Sequence, residues 1–196
     1  SRLSEIDYET MQHMAAAGAR VLNAQAVEFA RKAGIQILAR KTSDTSGRQT
    51  RISVDSQVQV GHEAAVVGAP QCSLLTGELK EGAKLLEAIE QLGGTVLAMG
   101  AAPTGMLMVN RAQIPGQDSS GLNQLASSHA LKIEDTAGLT LVGAGLLAAV
   151  PAILKSLNGS SQSYRLISAS DAVVVLAMDE AALKVSLGQL HTEFCA

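Results

Sequence analysis

Tryptophan is absent from the 196 residues, and the other large rings are scarce, with 2 Tyr and 2 Phe. A protein that stacks bases needs such rings, and one that follows a phosphate backbone needs surplus positive charge. Here 15 Lys and Arg face 18 Asp and Glu, for a net charge of −3, so nucleic acid is excluded as a partner. The 2 cysteines, Cys72 and Cys195, lie far apart with no CxxC or mixed Cys/His spacing. That excludes the usual zinc sites and predicts reduced core thiols in a cytoplasmic protein, with a single bridge left open. The 4 histidines, His13, His62, His129 and His191, are read as lacking Glu, Asp or Cys neighbours at ligand spacing, and no catalytic role is expected of them. Asp44-Thr45-Ser46-Gly47 lacks the Gly-Lys-Ser/Thr ending of a phosphate loop and reads as linker. The N-terminus, SRLSEIDYET, has no initiating Met and no apolar signal-peptide core, and the expectation is a piece of a longer protein.

What the chain does have is apolar substance: 47% hydrophobic residues against 17% charged, enough to bury a core in one large or two small domains. It is concentrated in LTLVGAGLLAAVPAILKSLN, residues 139–158. Between residues 137 and 154 only Thr140 is polar, close to the length of a membrane span. The run contains Gly138, Gly143, Gly145 and Pro151, however, and the chain has no second such segment and no interfacial aromatic anchors. Gly143-Ala144-Gly145-Leu146-Leu147-Ala148 also fits G-x-G-x-x-A. A dinucleotide site would need an acidic residue ending the next strand, and YRLISAS ends in Ser. The reading kept is a strand, a glycine turn and a helix, with neither membrane nor dinucleotide.

Along the chain, YETMQHMAAAGARVLNAQAVEFARKAG carries apolar residues at helical spacing, with Gly18 interrupting and Gly34 stopping it. IQILAR reads as a strand, and KTSDTSGRQTRISVDSQVQV as a linker. EAAVVGAP and CSLLTGE are apolar runs separated by Pro70-Gln71. KEGAKLLEAIEQLG is an amphipathic helix with Leu85, Leu86, Ile89 and Leu92 inside. TVLAMGA and GMLMVNRA are strands about a turn at Pro103-Thr104, SSGLNQLASS is a helix and HALKIED a strand. Met99, Met106 and Met108 fall on these adjacent strands and are expected to fill core rather than meet an apolar ligand.

Residues 72–134 therefore spell βαββαβ, the ferredoxin-like order. The rest, LTLVGAG, LLAAVPAILKSLN, SYRLISA, AVVVLAM and DEAALKVSLGQLHTEF, stops one strand short of the same pattern. EAAVVGAP can supply the missing strand and close an otherwise exposed edge. This predicts that the first unit is inserted into the second, with residues 63–69 pairing in the sheet of residues 139–193.

ETMQHMAAAGARVLNAQAVEFARKAGIQILARKTS resembles the end of the catalytic domain of aspartate kinases, where a Glu-Met helix, a Gly-Ala-Lys/Arg-Val-Leu turn and a Val-Glu-x-Ala helix precede a short strand. LTLVGAG, YRLISAS and the final helix ending in LHTEF resemble the last ACT domain of the same enzymes. The resemblance implies an α+β chain with tandem ferredoxin-like ACT domains, the first inserted into the second, behind a mainly helical remnant of an amino-acid kinase domain. The boundaries are 1–42 for the remnant, 43–61 for a linker, 72–134 for the first ACT domain, and 62–71 with 135–196 for the second. It implies feedback control by lysine or threonine, a homodimer through the ACT domains, and coupling to the parent's kinase domain. ATP and magnesium are implied for that parent only. The Lys-Phe-Gly-Gly-Thr motif is missing, the usual His-Pro-Arg is Asn23-Ala24-Gln25, and the helix near Val150-Pro151 lacks His-Pro-Gly and reads as shortened.

In this family the effector sits at a dimer interface, between the loop after the first strand and the start of the second. That implies Gly77, Glu78, Leu79, Lys80, Glu81 and Gly82, followed by Thr95, Val96 and Leu97 after Gly94. A helix start suits a carboxylate, and Glu78, with Glu81 second, can meet an ammonium group. The family's Asp-x-Pro-Gly loop and its Asn at the position of Thr95 are not kept. Two alternatives stay open: Glu78 and Glu81 as solvated charges near a helix start, in a module that only dimerises its parent, or an enzyme with an unrecognised site. No nucleophile and base pair supports the last.

Overall fold

The computed structural model describes residues 3–19, 21–43, 45, 47–54, 63–100, 104–117, 119–159 and 163–195. His62, Pro103, Asp44, Ser46 and residues 55–61 of the expected linker lie outside them. An N-terminal unit comes first. β1 (Glu5–Ile6) leads into α1 (Tyr8–Ala17), α2 (Ala24–Ala33), β2 (Ile37–Ala39) and β3 (Thr50–Ile52). α1 starts where Asp7 accepts from Thr10 N at 2.7 Å, and α2 where Asn23 accepts from Gln25 N at 2.8 Å, both ordinary N-caps. Gly18 (φ 109°) and Gly34 (φ 65°) end the two helices in the left-handed region that glycine enters without strain. β3 lies between β1 and β2, so the packed unit extends to Ile52 and the expected linker contains a strand. The reason is visible in its core: Ile52, fully buried, packs with Ile6, Tyr8, Met11, Val27 and Ala30.

The rest of the chain builds one six-stranded antiparallel sheet. β4 (Glu63–Gly77) is followed by α3 (Gly82–Gln91), β5 (Thr95–Gly100), β6 (Gly105–Asn110), α4 (Ser120–Ser128) and β7 (Lys132–Gly143). Then come α5 (Leu146–Gly159), β8 (Tyr164–Ala169), β9 (Val173–Met178) and α6 (Glu180–Phe194). The strand order is β5-β6-β4-β7-β9-β8. β4 and β7 pair along almost their whole lengths: residues 63–69 lie against 138–143, and residues 72–76 against 132–136. β6 and β5 extend the ribbon beside the second half of β4, and β9 and β8 beside the second half of β7.

The pairing of 63–69 with the strand that begins LTLVG is the one that strand counting requires. The separation of strands differs. EAAVVGAP and CSLLTGE are one strand, and so are the end of HALKIED and LTLVG. Pro70 does not break β4 because it sits in a bulge. Pro70 and Gln71 together oppose Ala137, between the pairs Ala69↔Gly138 and Cys72↔Thr136, and a bulged residue owes the ladder no N–H. α5 is likewise not shortened: it runs for 14 residues through Pro151. Pro151 and Leu147 are both exposed, so the carbonyl that loses its donor faces water.

Alternation along the ribbon creates three cores. Leu75 joins Leu85, Ile89, Leu107, Val109 and Leu122 beneath α3 and α4. Leu139 and Leu141 join Leu146, Ile153, Leu157, Val174 and Leu190 beneath α5 and α6. Leu74 points the other way, with Cys72, Ala98, Met108, Ile167, Val175 and Ala177, so the curled sheet buries its concave face against itself. Gly138 permits that approach: a Cβ there would lie 2.8 Å from Met108 Cε, 3.2 Å from Cys72 Sγ and 3.2 Å from Leu97 Cδ1.

The stretch that fits G-x-G-x-x-A is the β7–α5 turn, and two of its amides are occupied. Gly143 N–H donates to Ala172 O at 3.0 Å and Leu146 N–H to Asp171 O at 2.9 Å, so these two amides are turned to the β8–β9 connection and not to a ligand. Among the described residues no helix is long and apolar enough to cross a membrane.

Two outcomes follow from the concave core. Gly138→Val is expected to destabilise the fold by about 1–3 kcal/mol through overpacking, and Gly138→Ala by less because the end of Met108 can swing aside; urea unfolding midpoints check this. Burial pushes the Cys72 thiol up to about 12, against a smaller downward pull from Arg111. Iodoacetamide at pH 8 is therefore expected to modify Cys72 only after denaturation, and equally fast labelling of the native chain, read by mass spectrometry, would contradict the burial.

Candidate functional site

The loop between β4 and α3 carries the first group of expected site residues. Gly77 pairs with Gly105 at the end of β4. Lys80 N–H donates to Glu78 O at 2.8 Å, which turns the chain back. Glu81 takes up a left-handed conformation (φ 54°, ψ 39°) as the residue before α3, and no side chain caps that helix, so its first amides are free of an intrahelical partner. Leu79 folds inward over Gly105: a Cβ at position 105 would stand 2.8 Å from Leu79 Cδ1 and 2.8 Å from Gly77 O. Around this loop lies a cleft of about 500 Å³, lined by Gly77, Glu78, Leu79, Gly82, Met99, Thr104 and Gly105.

Charge in the loop is balanced locally. Lys80 Nζ is 3.0 Å from Glu78 Oε2, and Lys84 Nζ is 2.9 Å from Glu81 Oε1. All four side chains are largely exposed, so these pairs add little to stability. They do set the charge that an incoming ligand meets.

Thr95, Val96 and Leu97 are not beside this loop. Thr95 pairs with Asn110, which pairs with Cys72, while the loop leaves from Gly77. The two groups are thus at opposite ends of the same strands, roughly 17 Å apart at ~3.4 Å per residue. Thr95 instead faces the N-terminal unit, lining a cleft of about 360 Å³ with Ala15, Gly18, Asn23, Asn110 and Gln113. Val96 lines a neighbouring one with Leu86 and Glu90. Leu97 packs against the concave core.

Met99, Thr104 and Gly105 are cleft residues outside the expected set. Of the three methionines, Met108 is fully buried and Met106 packs on the concave core, but Met99 is 53% exposed. A bulge decides its orientation: Val96 pairs with Val109 and Ala98 with Met108, so Leu97 is the extra residue, Ala98 turns inward and Met99 turns out toward the loop.

The histidines are dispersed. His13 does have an acidic neighbour, Glu9 one helical turn earlier, at 3.8 Å. His129 ends α4 with Nδ1 3.0 Å from Leu125 O. His191 lines an apolar cleft with Met11, Met14, Ala65 and Cys195. Among the described residues no group of three or more His, Cys, Asp or Glu is placed to hold a metal ion.

No family sequence model matches the chain, and no curated protein sequence does. Solved structures do. E. coli aspartokinase III in complex with aspartate and ADP superposes with a TM-score of 0.80 at 16% identity, over 100% of this chain and 47% of that one. Aspartate kinase from Clostridium acetobutylicum gives 0.77 at 18% identity, over 99% and 49%. The ligand-free regulatory subunit of aspartate kinase from Thermus thermophilus gives 0.51 at 15% identity, over 68% of this chain and 98% of that one. This chain spans about half the length of the first two. It has the fold shared by aspartate kinases and their separate regulatory subunits.

Proposed function

We propose that the chain is the regulatory, amino-acid-binding portion of an aspartate kinase. Residues 72–134 would form one ACT unit, and residues 62–71 with 135–196 the other, behind a kinase-domain remnant at 1–42 that β3 extends to Ile52. The observation that carries this reading is the fold likeness over the whole chain to aspartate kinases, together with a likeness that takes in 98% of a regulatory subunit. E. coli aspartokinase III has also been solved with lysine and aspartate, which supports an amino-acid effector here, lysine or threonine on the resemblance. ATP and magnesium would be held by the parent's kinase domain, in the cytoplasm.

Two structural features favour the loop at residues 77–82 as the effector site. The corresponding turn before α5 gives two of its amides to Asp171 and Ala172, whereas the start of α3 has no side-chain cap and opens on a cleft. β5 is also an end strand of the sheet. Laying β5 of a second copy antiparallel to it would bring that copy's Thr95, Val96 and Leu97 beside the loop, uniting two groups that one chain keeps apart. The paired charges of Glu78 and Glu81 and the presence of Thr95 favour the alternative, a module that dimerises its parent without binding a ligand.

Thermal unfolding with millimolar lysine, threonine and methionine, one at a time, separates the two. A ligand of the folded form at a hundredfold excess over Kd stabilises it by about 2.7 kcal/mol, roughly 5–10 °C for a chain of this size. A specific upward shift is the expected result, and no shift with any of the three favours the dimerisation module. Light scattering is expected to give a dimer, and a monomer across a wide concentration range would count against the β5 interface.

A further inference from the structure

A second cleft lies where the N-terminal unit meets the first half of the sheet, at the opposite end of β5 and β6 from the loop at residues 77–82. Its two lobes, of about 360 and 470 Å³, share Ala15, Ala16, Asn23, Ala24, Thr95 and Gln113. α1 brings its C-terminal end to this cleft and α2 its N-terminal end, so opposite helix dipoles meet there and offset each other. Charge is sparse as well. Among the described residues no charged side chain lines the smaller lobe, and Glu90 alone lines the larger.

Asn110, at the end of β6, is the polar group that its surroundings leave incomplete. It is 5% exposed and lines the smaller lobe. Its Oδ1 accepts from Ala112 N at 2.9 Å, which fixes the orientation of the amide. Nδ2 then faces Gly18, where an added Cβ would stand 3.2 Å from it, and glycine has no side chain to fill that space. Among the described residues no acceptor meets Nδ2. Buried donors in folded proteins nearly always have a partner, and this one opens only on the cleft. Thr95 pairs with Asn110 across the ladder, so the two side chains stand on the same face, and Gln113 adds a further polar group beside them.

We propose that this cleft binds a small uncharged molecule through a planar amide, a C=O beside an N–H, as carried by a carboxamide or by the edge of a nucleobase. Asn110 Nδ2 donates to the carbonyl, and Thr95 Oγ1 or Gln113 Oε1 accepts from the N–H. A carboxylate in the same place would lose its water and meet Glu90 in place of a cation. The ligand touches the N-terminal unit through Ala15 and Ala16 and the sheet through Thr95 and Asn110, and its binding does not depend on whether the loop at residues 77–82 takes an effector.

Amide NMR spectra of the whole isotope-labelled chain, recorded at neutral pH with millimolar nicotinamide, uracil or nicotinate, test this. Nicotinamide, uracil or both are expected to shift the Asn110 side-chain resonances and the backbone amides around residues 15–24 and 110–113. A response to one alone tells carboxamide from nucleobase. Nicotinate, which differs from nicotinamide in carrying a carboxylate, is expected to bind about tenfold or more weakly. Asn110→Asp keeps the acceptor for Ala112 and removes the donor, and should weaken the bound amide by a similar factor; Gln113→Ala, at an exposed position, should weaken it less and leaves the fold intact if the first variant does not. No shift with either amide, shifts confined to other residues, nicotinate binding as well as nicotinamide, or binding that neither variant alters each overturns the proposal.

Discussion

Everything beyond residue 62 hangs on one antiparallel ribbon. β4 and β7 are paired for most of their 15 and 12 residues, and each half of the sheet uses a different half of the ribbon. The ribbon has to bend sharply for the two halves to close on a common apolar face, and the bulge at Pro70 and Gln71, opposite Ala137, lies at the junction. A bulge increases local twist without surrendering the ladder on either side. Proline, useless as a ladder donor, costs nothing at that position. Gly138 stands next to it, where the approaching half leaves no room for a side chain.

Much of this architecture was legible from the residues. Helical periodicity located α1, α2 and α3, because these helices bury one face, and glycine stops located the ends of α1 and α2 in left-handed caps. The pairing of residues 63–69 with the strand that begins LTLVG was legible by counting strands, since an orphaned edge is costly and those residues could relieve it. Continuity through Pro70 was not. Local propensity reads proline as a break, and only the pairing partner on β7 reveals a bulge. β3 was missed for a similar reason: TRI is too short and too polar in its flanks to show a period, and burial of Ile52 in the N-terminal core decides the matter.

The candidate site was legible only as a location. The loop at residues 77–82 could be placed by its position after the first strand, but its partners depended on a bulge that sequence does not mark. Leu97 as the extra residue sends Met99 outward, so a methionine that periodicity assigns to core becomes the cleft wall. The opposite placement of Thr95 follows from β5 lying parallel to β4 with β6 between them, which is forced by the βαβ connection. Resemblance groups the loop with Thr95 because it describes two chains at once, whereas a single chain must keep them on opposite ends of its strands.

The shared ribbon has a consequence for how the molecule comes apart. In a chain made of separate beads, one bead can melt while its neighbour persists. Here neither half of the sheet owns its central strands outright, and the cores on both sides of Leu74 and Leu75 drain together once β4 lifts from β7. The sheet is therefore a single cooperative unit that divides in two only in the order of its connections. Severing the backbone at the bulge would leave residues 71–196 with all of the concave core but Ala69, yet would strip residues 138–143 of their partner on β4 and open a hydrophobic strand edge to water.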